Sequence, residues 1–257
     1  MNKTVIHDLA EHLAAIATDA TTRGIAQVIS NTTLDDEHKS HALQTLRDIV
    51  ELKGDDISNR LYAAACIEQE NLSVAYQHLK SITTPTKDDI SLLGLIGVKI
   101  NDDEATDFLK RANYTDEDIL LLQTLASYER GNKDPKLHEK RLHPFLQTSA
   151  NANSTLGIMY FNNIDYINAM KYLRLACQLD DSEDNILNLL TCQTVANPSK
   201  SVAAIAQHRI YGKISIAESD ASRRIHENHL NMPTLMNKIS EMADYATREK
   251  HPITSLS

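Results

Sequence analysis

The chain has 257 residues, with 7 Gly, 6 Pro, 3 Phe and no Trp, and a formal net charge of −9. Gly plus Pro is about half the roughly 12% of an average soluble protein, which excludes the turn-rich all-β folds and leaves glycine-loop nucleotide folds poorly supplied. The charge is uneven: residues 1–137 hold 14 Lys+Arg against 23 Asp+Glu, and residues 138–257 hold 12 of each, so the acidic first half argues against non-specific contact with nucleic acid or anionic lipid.

In chain order, the first twenty residues carry Asp8, Glu11 and His12 where a signal core would need an unbroken apolar run. No window approaches the roughly 20 apolar residues of a membrane span. The expectation is a cytoplasmic chain without membrane insertion. Cysteines Cys66, Cys177 and Cys192 are odd in number and widely spaced, so they read as small buried hydrophobes in a reducing compartment. Residues 4–30 carry Val5, Ile6, Leu9, Leu13, Ile16, Ile25 and Val28 at helical spacing, and residues 37–52 do the same with Leu43, Leu46, Ile49 and Val50.

From residue 55 an internal period begins. Asp55-Asp56-Ile57-Ser58 recurs 33 residues later as Asp88-Asp89-Ile90-Ser91. Further helix starts are predicted near 117, 151 and 184. Acids suit these places, because a capping carboxylate accepts from the free N–H groups of a first turn and favours the positive end of the helix dipole. Each start leads into an apolar helix, a polar turn such as Glu70-Asn71, Asn101-Asp102, Gly131-Asn132 or Asn162-Asn163, and then a second helix with small residues for close packing. Examples of the last are Ala75, Ala105 and Ala169. Helix pairs of this kind bury their faces only against neighbouring pairs.

Within this pattern, Leu156-Gly157, Tyr160, Ala169, Leu173 and Ala176 stand at the offsets of a tetratricopeptide repeat. The stretch from Ala150 to Asp184 resembles that family, with Asn153 and Asp181 in place of its early Trp and closing Pro. Gly94, Ala105, Leu109 and Ala112 extend the likeness to the second repeat. Units 117–149 and 184–215 match weakly in their second helices. The resemblance implies an all-α fold, a right-handed superhelix (α-solenoid) of antiparallel helix pairs with helical caps at both ends. The predicted division is an N-terminal cap at 1–54, about five pairs at 55–215, and a C-terminal cap and frayed tail at 216–257.

Chemistry-bearing motifs are sparse. His38 and His41, and His226 and His229, share helix faces in pairs but lack further ligands of zinc type; they read as exposed helix surface. No nucleophile elbow is present, and Gly94 and Gly97 lie inside an apolar helix, where they read as close packing. Arg209, Lys213, Arg223 and Arg224 with Tyr211 are offset by Glu218, Asp220 and Glu227. No catalytic residue, metal or cofactor is expected, and no nucleic-acid partner.

In the family, first helices line a concave groove. Carried over by position, the groove residues are Tyr62, Leu95, Val98, Tyr128, Ser154, Ile158, Phe161 and Asn162. This wall is apolar and aromatic. It lacks the Lys and Asn that some members use to clamp a peptide carboxylate, since Ser154 and Ile158 stand at two of those positions. It suits an amphipathic helix or an extended apolar peptide of another protein. The expected function is therefore a non-enzymatic adaptor or chaperone. The alternative is a peptide-sensing regulator that signals, or forms a homodimer, through its C-terminal helices.

Overall fold

The computed structural model describes residues 5–196, 223, 227, 230, 232 and 234–248. Among them every regular element is helical. The helices are α1 (Val5–Ile16), α2 (Ala20–Asn31), α3 (Asp36–Lys53), α4 (Asp56–Glu68), α5 (Leu72–Lys80), α6 (Lys87–Ile100), α7 (Ala105–Arg111), α8 (Asp116–Glu129), α9 (Pro135–Leu142), α10 (Ala150–Asn162), α11 (Tyr166–Leu179), α12 (Glu183–Ala196) and α13 (Leu235–Arg248), with a 3-10 turn at His143–Phe145. They form two compact units. One comprises residues 1–115 and 235–257, the other 116–234.

The helix starts owe their positions to local capping. Asp55 accepts from Ile57 and Ser58 N–H at α4, Asp134 from Lys136 N–H at α9, and Ser149 from Ala152 N–H at α10. Thr86 and Asp89 cap α6 reciprocally as a capping box. The turns within pairs share one construction. Glu70, Asn101, Gly131 and Ile164 each adopt positive φ (56°, 65°, 104° and 63°). The next residue then donates its N–H to the carbonyl five back: Asn71 to Cys66, Asp102 to Gly97, Asn132 to Ser127 and Asp165 to Tyr160, at 2.8–3.2 Å. This is the Schellman closure, and it satisfies helix-end carbonyls while reversing the chain.

Within pairs, glycine permits close approach. A Cβ on Gly94 would lie 2.6 Å from Leu109 Cγ, one on Gly97 2.9 Å from Ala105 Cβ, and one on Gly157 2.6 Å from Leu173 Cγ. Gly94 and Gly157 each stand eight residues after their caps, Thr86 and Ser149.

Counted from its own cap, Asp55, the first pair is offset by two residues from the period the sequence displays. Thr86 is the structural equivalent of Asp55, 31 residues on, whereas the identical tetrapeptides are 33 apart. The two copies consequently do different work. Asp55 is a cap, and Asp56 binds the loop before α6, accepting from the amides and hydroxyls of both Thr83 and Thr84. The Thr84 hydroxyl and the Thr83 amide hold its carboxyl well below the usual carboxylate range. In the second copy Asp89 is fully buried and takes a bidentate pair from Arg60 of α4, at 2.7 Å for both Nε and Nη2. Burial alone would push the Asp89 carboxyl up, but the Arg60 guanidinium and the Thr86 donors hold it below its ordinary value. One carboxylate thus caps α6 and joins it to α4.

In the first unit, α1 packs on α2, α3 and α4. His12 Nε2 lies 3.5 Å from Asp55 Oδ1 at the start of α4. Helix α13 packs against α4 and α6, the first helices of their pairs. In the second unit the core gathers Leu121, Leu125, Leu142, Leu156, Ile158, Met159, Tyr160, Tyr172, Leu173 and Cys192, and Leu230 is buried in it with Met232 packed alongside.

Candidate partner-binding site

The eight sequence-predicted groove residues fall into two groups, four buried and four at least partly open. In the first unit, Leu95 and Val98 of α6 are 1% and 6% exposed. Helix α6 is buried on every side from Leu92 to Val98, with α5, α7 and α13 among its neighbours. Tyr62 is also buried, and for a different reason. Its ring meets the His78 ring of α5 edge-on at 4.5 Å. Burial pushes its phenol up, and Cys66, Arg47 and Glu51 are its charged and polar neighbours. By the cap register, Ala64, Ile67 and Glu68 of α4 are the counterparts of Leu95, Val98 and Lys99 of α6. The two-residue offset turns Tyr62 toward α3 and α5.

Glu68 marks what lies against this face. Desolvation pushes its carboxyl up, the Val5 amide pulls it down, and the nearby Asp244 carboxylate of α13 raises it further. Helix α13 buries Leu235, Ile239 and Ala243 (0%, 0% and 6% exposed), while Asn237, Lys238, Ser240 and Glu241 face solvent. The buried residues recur at i, i+4 and i+8, the stripe of an amphipathic helix. The face of α4 and α6 is therefore covered by a helix of the same chain.

In the second unit, Ile158 is buried in the core, Tyr128, Ser154 and Phe161 are partly exposed, and Asn162 is exposed. The structure brings Tyr128 and Asn162 together: Asn162 Nδ2 donates to the Tyr128 hydroxyl at 3.3 Å. Lys133 Nζ stands 3.8 Å from the Tyr128 ring centroid, at cation–π distance. The Phe161 and Tyr166 rings lie 5.4 Å apart. Immediately along the chain, Ile164 and Ile167 are 74% and 80% exposed. Lys133, Ile164 and Ile167 are absent from the predicted set; Lys133 and Ile164 stand in connections between helices and Ile167 in the first turn of α11, so no first-helix groove position marks them. What this surface offers is apolar and aromatic contact, one cation and one amide.

The rest of the described surface offers little reactive chemistry. Burial pushes the thiols of Cys66, Cys177 and Cys192 up to about 11, so they are protonated at neutral pH. His38 Nδ1 lies 2.7 Å from Asp35 Oδ1, and with His41 it borders an apolar groove of about 510 Å³ between α2 and α3. A more polar cavity of about 460 Å³ is bordered by Glu139, His143, Lys171 and Tyr172. Burial pushes Glu139 up, but hydrogen bonds from Tyr160 and Tyr172 hold it below its ordinary value. Among the described residues no three His, Cys, Asp or Glu side chains gather as a metal site, and no helix is long and apolar enough to cross a membrane. His226, His229, Arg209, Tyr211, Lys213 and Arg224 lie outside the described residues.

No protein-family model and no curated protein matches the chain. Among solved structures it is similar to the C-terminal part of a TPR repeat-containing protein from Cytophaga hutchinsonii, at 16% identity and a TM-score of 0.38, over 86% of this chain and 78% of that one.

Proposed function

We propose that this chain is a non-enzymatic protein-interaction module, a cytoplasmic adaptor or chaperone that holds an apolar or amphipathic segment of another protein against the first helices of its pairs. The observation that carries this reading is α13, which lays a Leu235–Ile239–Ala243 stripe on α4 and α6. The same face that takes this helix has the chemistry to take one from a partner. In the second unit, Tyr128, Phe161 and Asn162 with Ile164 and Ile167 supply a contact surface that remains accessible. The reading includes no nucleic-acid partner and no cofactor.

The test is affinity capture from the native cell, with the captured protein identified and then titrated against purified variants. Phe161→Asp and Ile164→Asp, each checked by circular dichroism for retained helicity, are expected to weaken binding at least tenfold. Unchanged binding by both variants would remove the second-unit surface from the proposal.

A further inference from the structure

An amphipathic helix is a common ligand of an apolar groove, and in this chain one such helix is already seated. Among its described side chains, 235–244, the buried ones are the three apolar ones at i, i+4 and i+8, and the exposed ones are polar. It packs against the first helices α4 and α6. Its Asp244 end lies by Glu68, a residue at the groove register of α4. We infer that α13 is a built-in occupant of the α4–α6 face, and that a partner helix carrying apolar residues at the same i, i+4 and i+8 spacing displaces it. This rests on the proposed function and specifies the partner: a helix, with that stripe, in competition with the chain's own C-terminal segment.

The physical consequence is a lowered apparent affinity. A ligand that needs the face free binds in proportion to the fraction of chains in which α13 is undocked. Weakening α13 raises that fraction without touching the face itself. The occupant therefore sets a threshold that a partner helix must exceed.

The test uses the full chain and a fluorescein-labelled peptide of residues 234–248 as the probe, read by fluorescence anisotropy. Ile239→Asp puts a carboxylate on the buried stripe, and this chain is expected to bind the probe at least tenfold more tightly than the unsubstituted chain. Ser240→Asp adds the same charge on the exposed face and is expected to leave affinity unchanged. Equal affinity for the Ile239→Asp and unsubstituted chains, or binding to neither, overturns the inference.

Hydrogen exchange on the unsubstituted chain guards against a misfolded variant. With excess unlabelled peptide, amides 239–243 are expected to lose protection while those of α4 and α6 keep theirs. Unchanged protection at 239–243 overturns the inference. The two readings fail separately. Peptide exchange that persists while Phe161→Asp and Ile164→Asp leave native binding untouched supports the occupant and counts against the second-unit surface. Native binding that those variants weaken, with α13 never displaced, overturns the occupant alone.

Discussion

The glycines inside helices give the sharpest test of how the pairs are held. At Gly157 an added methyl would sit 2.6 Å from Leu173 Cγ, 2.8 Å from Cδ2 and 3.1 Å from the Leu173 backbone nitrogen. Leu173 is fully buried, so neither its branch point nor its backbone has room to retreat. Replacing Gly by Ala in a helix interior favours the helix by about 1 kcal/mol, whereas forcing a methylene into a packed core typically costs about 1–3 kcal/mol. The net for Gly157→Ala is a loss of roughly 0–2 kcal/mol. Gly24, inside α2, has nothing within 4 Å of the equivalent position. Gly24→Ala should therefore show only the favourable term, a gain of about 0.5–1 kcal/mol. Urea denaturation followed by far-ultraviolet circular dichroism measures both. A double-mutant cycle with Leu173→Ala adds a check, because the cost of Gly157→Ala should shrink once the clashing side chain is gone. If Gly157→Ala stabilises as much as Gly24→Ala, close packing is not the reason for glycine there.

Three other expectations follow from particular contacts. Asp89→Ala strands the buried Arg60 guanidinium and should destabilise the first unit by about 3–5 kcal/mol, while Arg60→Met with Asp89→Leu should recover most of that loss in the same denaturation assay. Ile164 is β-branched, solvent-exposed and at φ 63°; Ile164→Gly should raise stability by about 1 kcal/mol by relieving the left-handed backbone, and a lower urea midpoint would refute the strain. Asp56 has a depressed folded pKa, so its contribution is present above the unfolded value of about 3.9 and is lost as pH falls through the lower folded value. Asp56→Asn should flatten the fall in urea midpoint from about pH 5 to about pH 3, where the unfolded-state carboxyl takes up its proton and the clamped one does not; parallel profiles for the two chains would contradict the Thr83–Thr84 clamp.

Much of the fold was legible because its determinants are local. Helix starts are written in Asp, Ser and Thr at caps, and the pair turns in short polar or glycine-containing stretches, of which Asn101 and Gly131 accept a left-handed backbone readily while Ile164 does not. Gly94 and Gly157 mark the same place in two repeats and meet Leu109 and Leu173 as close packing requires. The state of the groove positions was less legible. Leu95, Val98 and Ile158 belong to an apolar helix face whatever covers them. Whether they meet solvent, a partner or α13 depends on contacts with segments far along the chain, and no short-range pattern encodes those. Phe161 and Asn162 end α10 beside an exposed turn, and they are partly and fully exposed there.

The two Asp-Asp-Ile-Ser strings show why an identical sequence is a weaker guide to register than shared capping geometry. Had the 33-residue period been the structural one, Asp88 would cap α6 as Asp55 caps α4, and Tyr62 would be a groove residue. Instead Thr86 takes the cap, two residues earlier. That shift moves Asp89 to the third helical position, where its side chain turns back to the cap amide and outward to Arg60. The same shift carries Ala64 and Ile67 to the groove register and turns Tyr62 toward His78. A carboxylate at the start of a helix satisfies the first-turn amides from either the cap or the third position, so the first turn tolerates the slip; the Arg60–Asp89 pair does not. Moving Asp from 89 to 88 in an Asp88→Asn, Asp89→Asn, Asn-to-Asp restored series separates these roles: restoring Asp at 89 alone should recover stability, and restoring it at 88 alone should not.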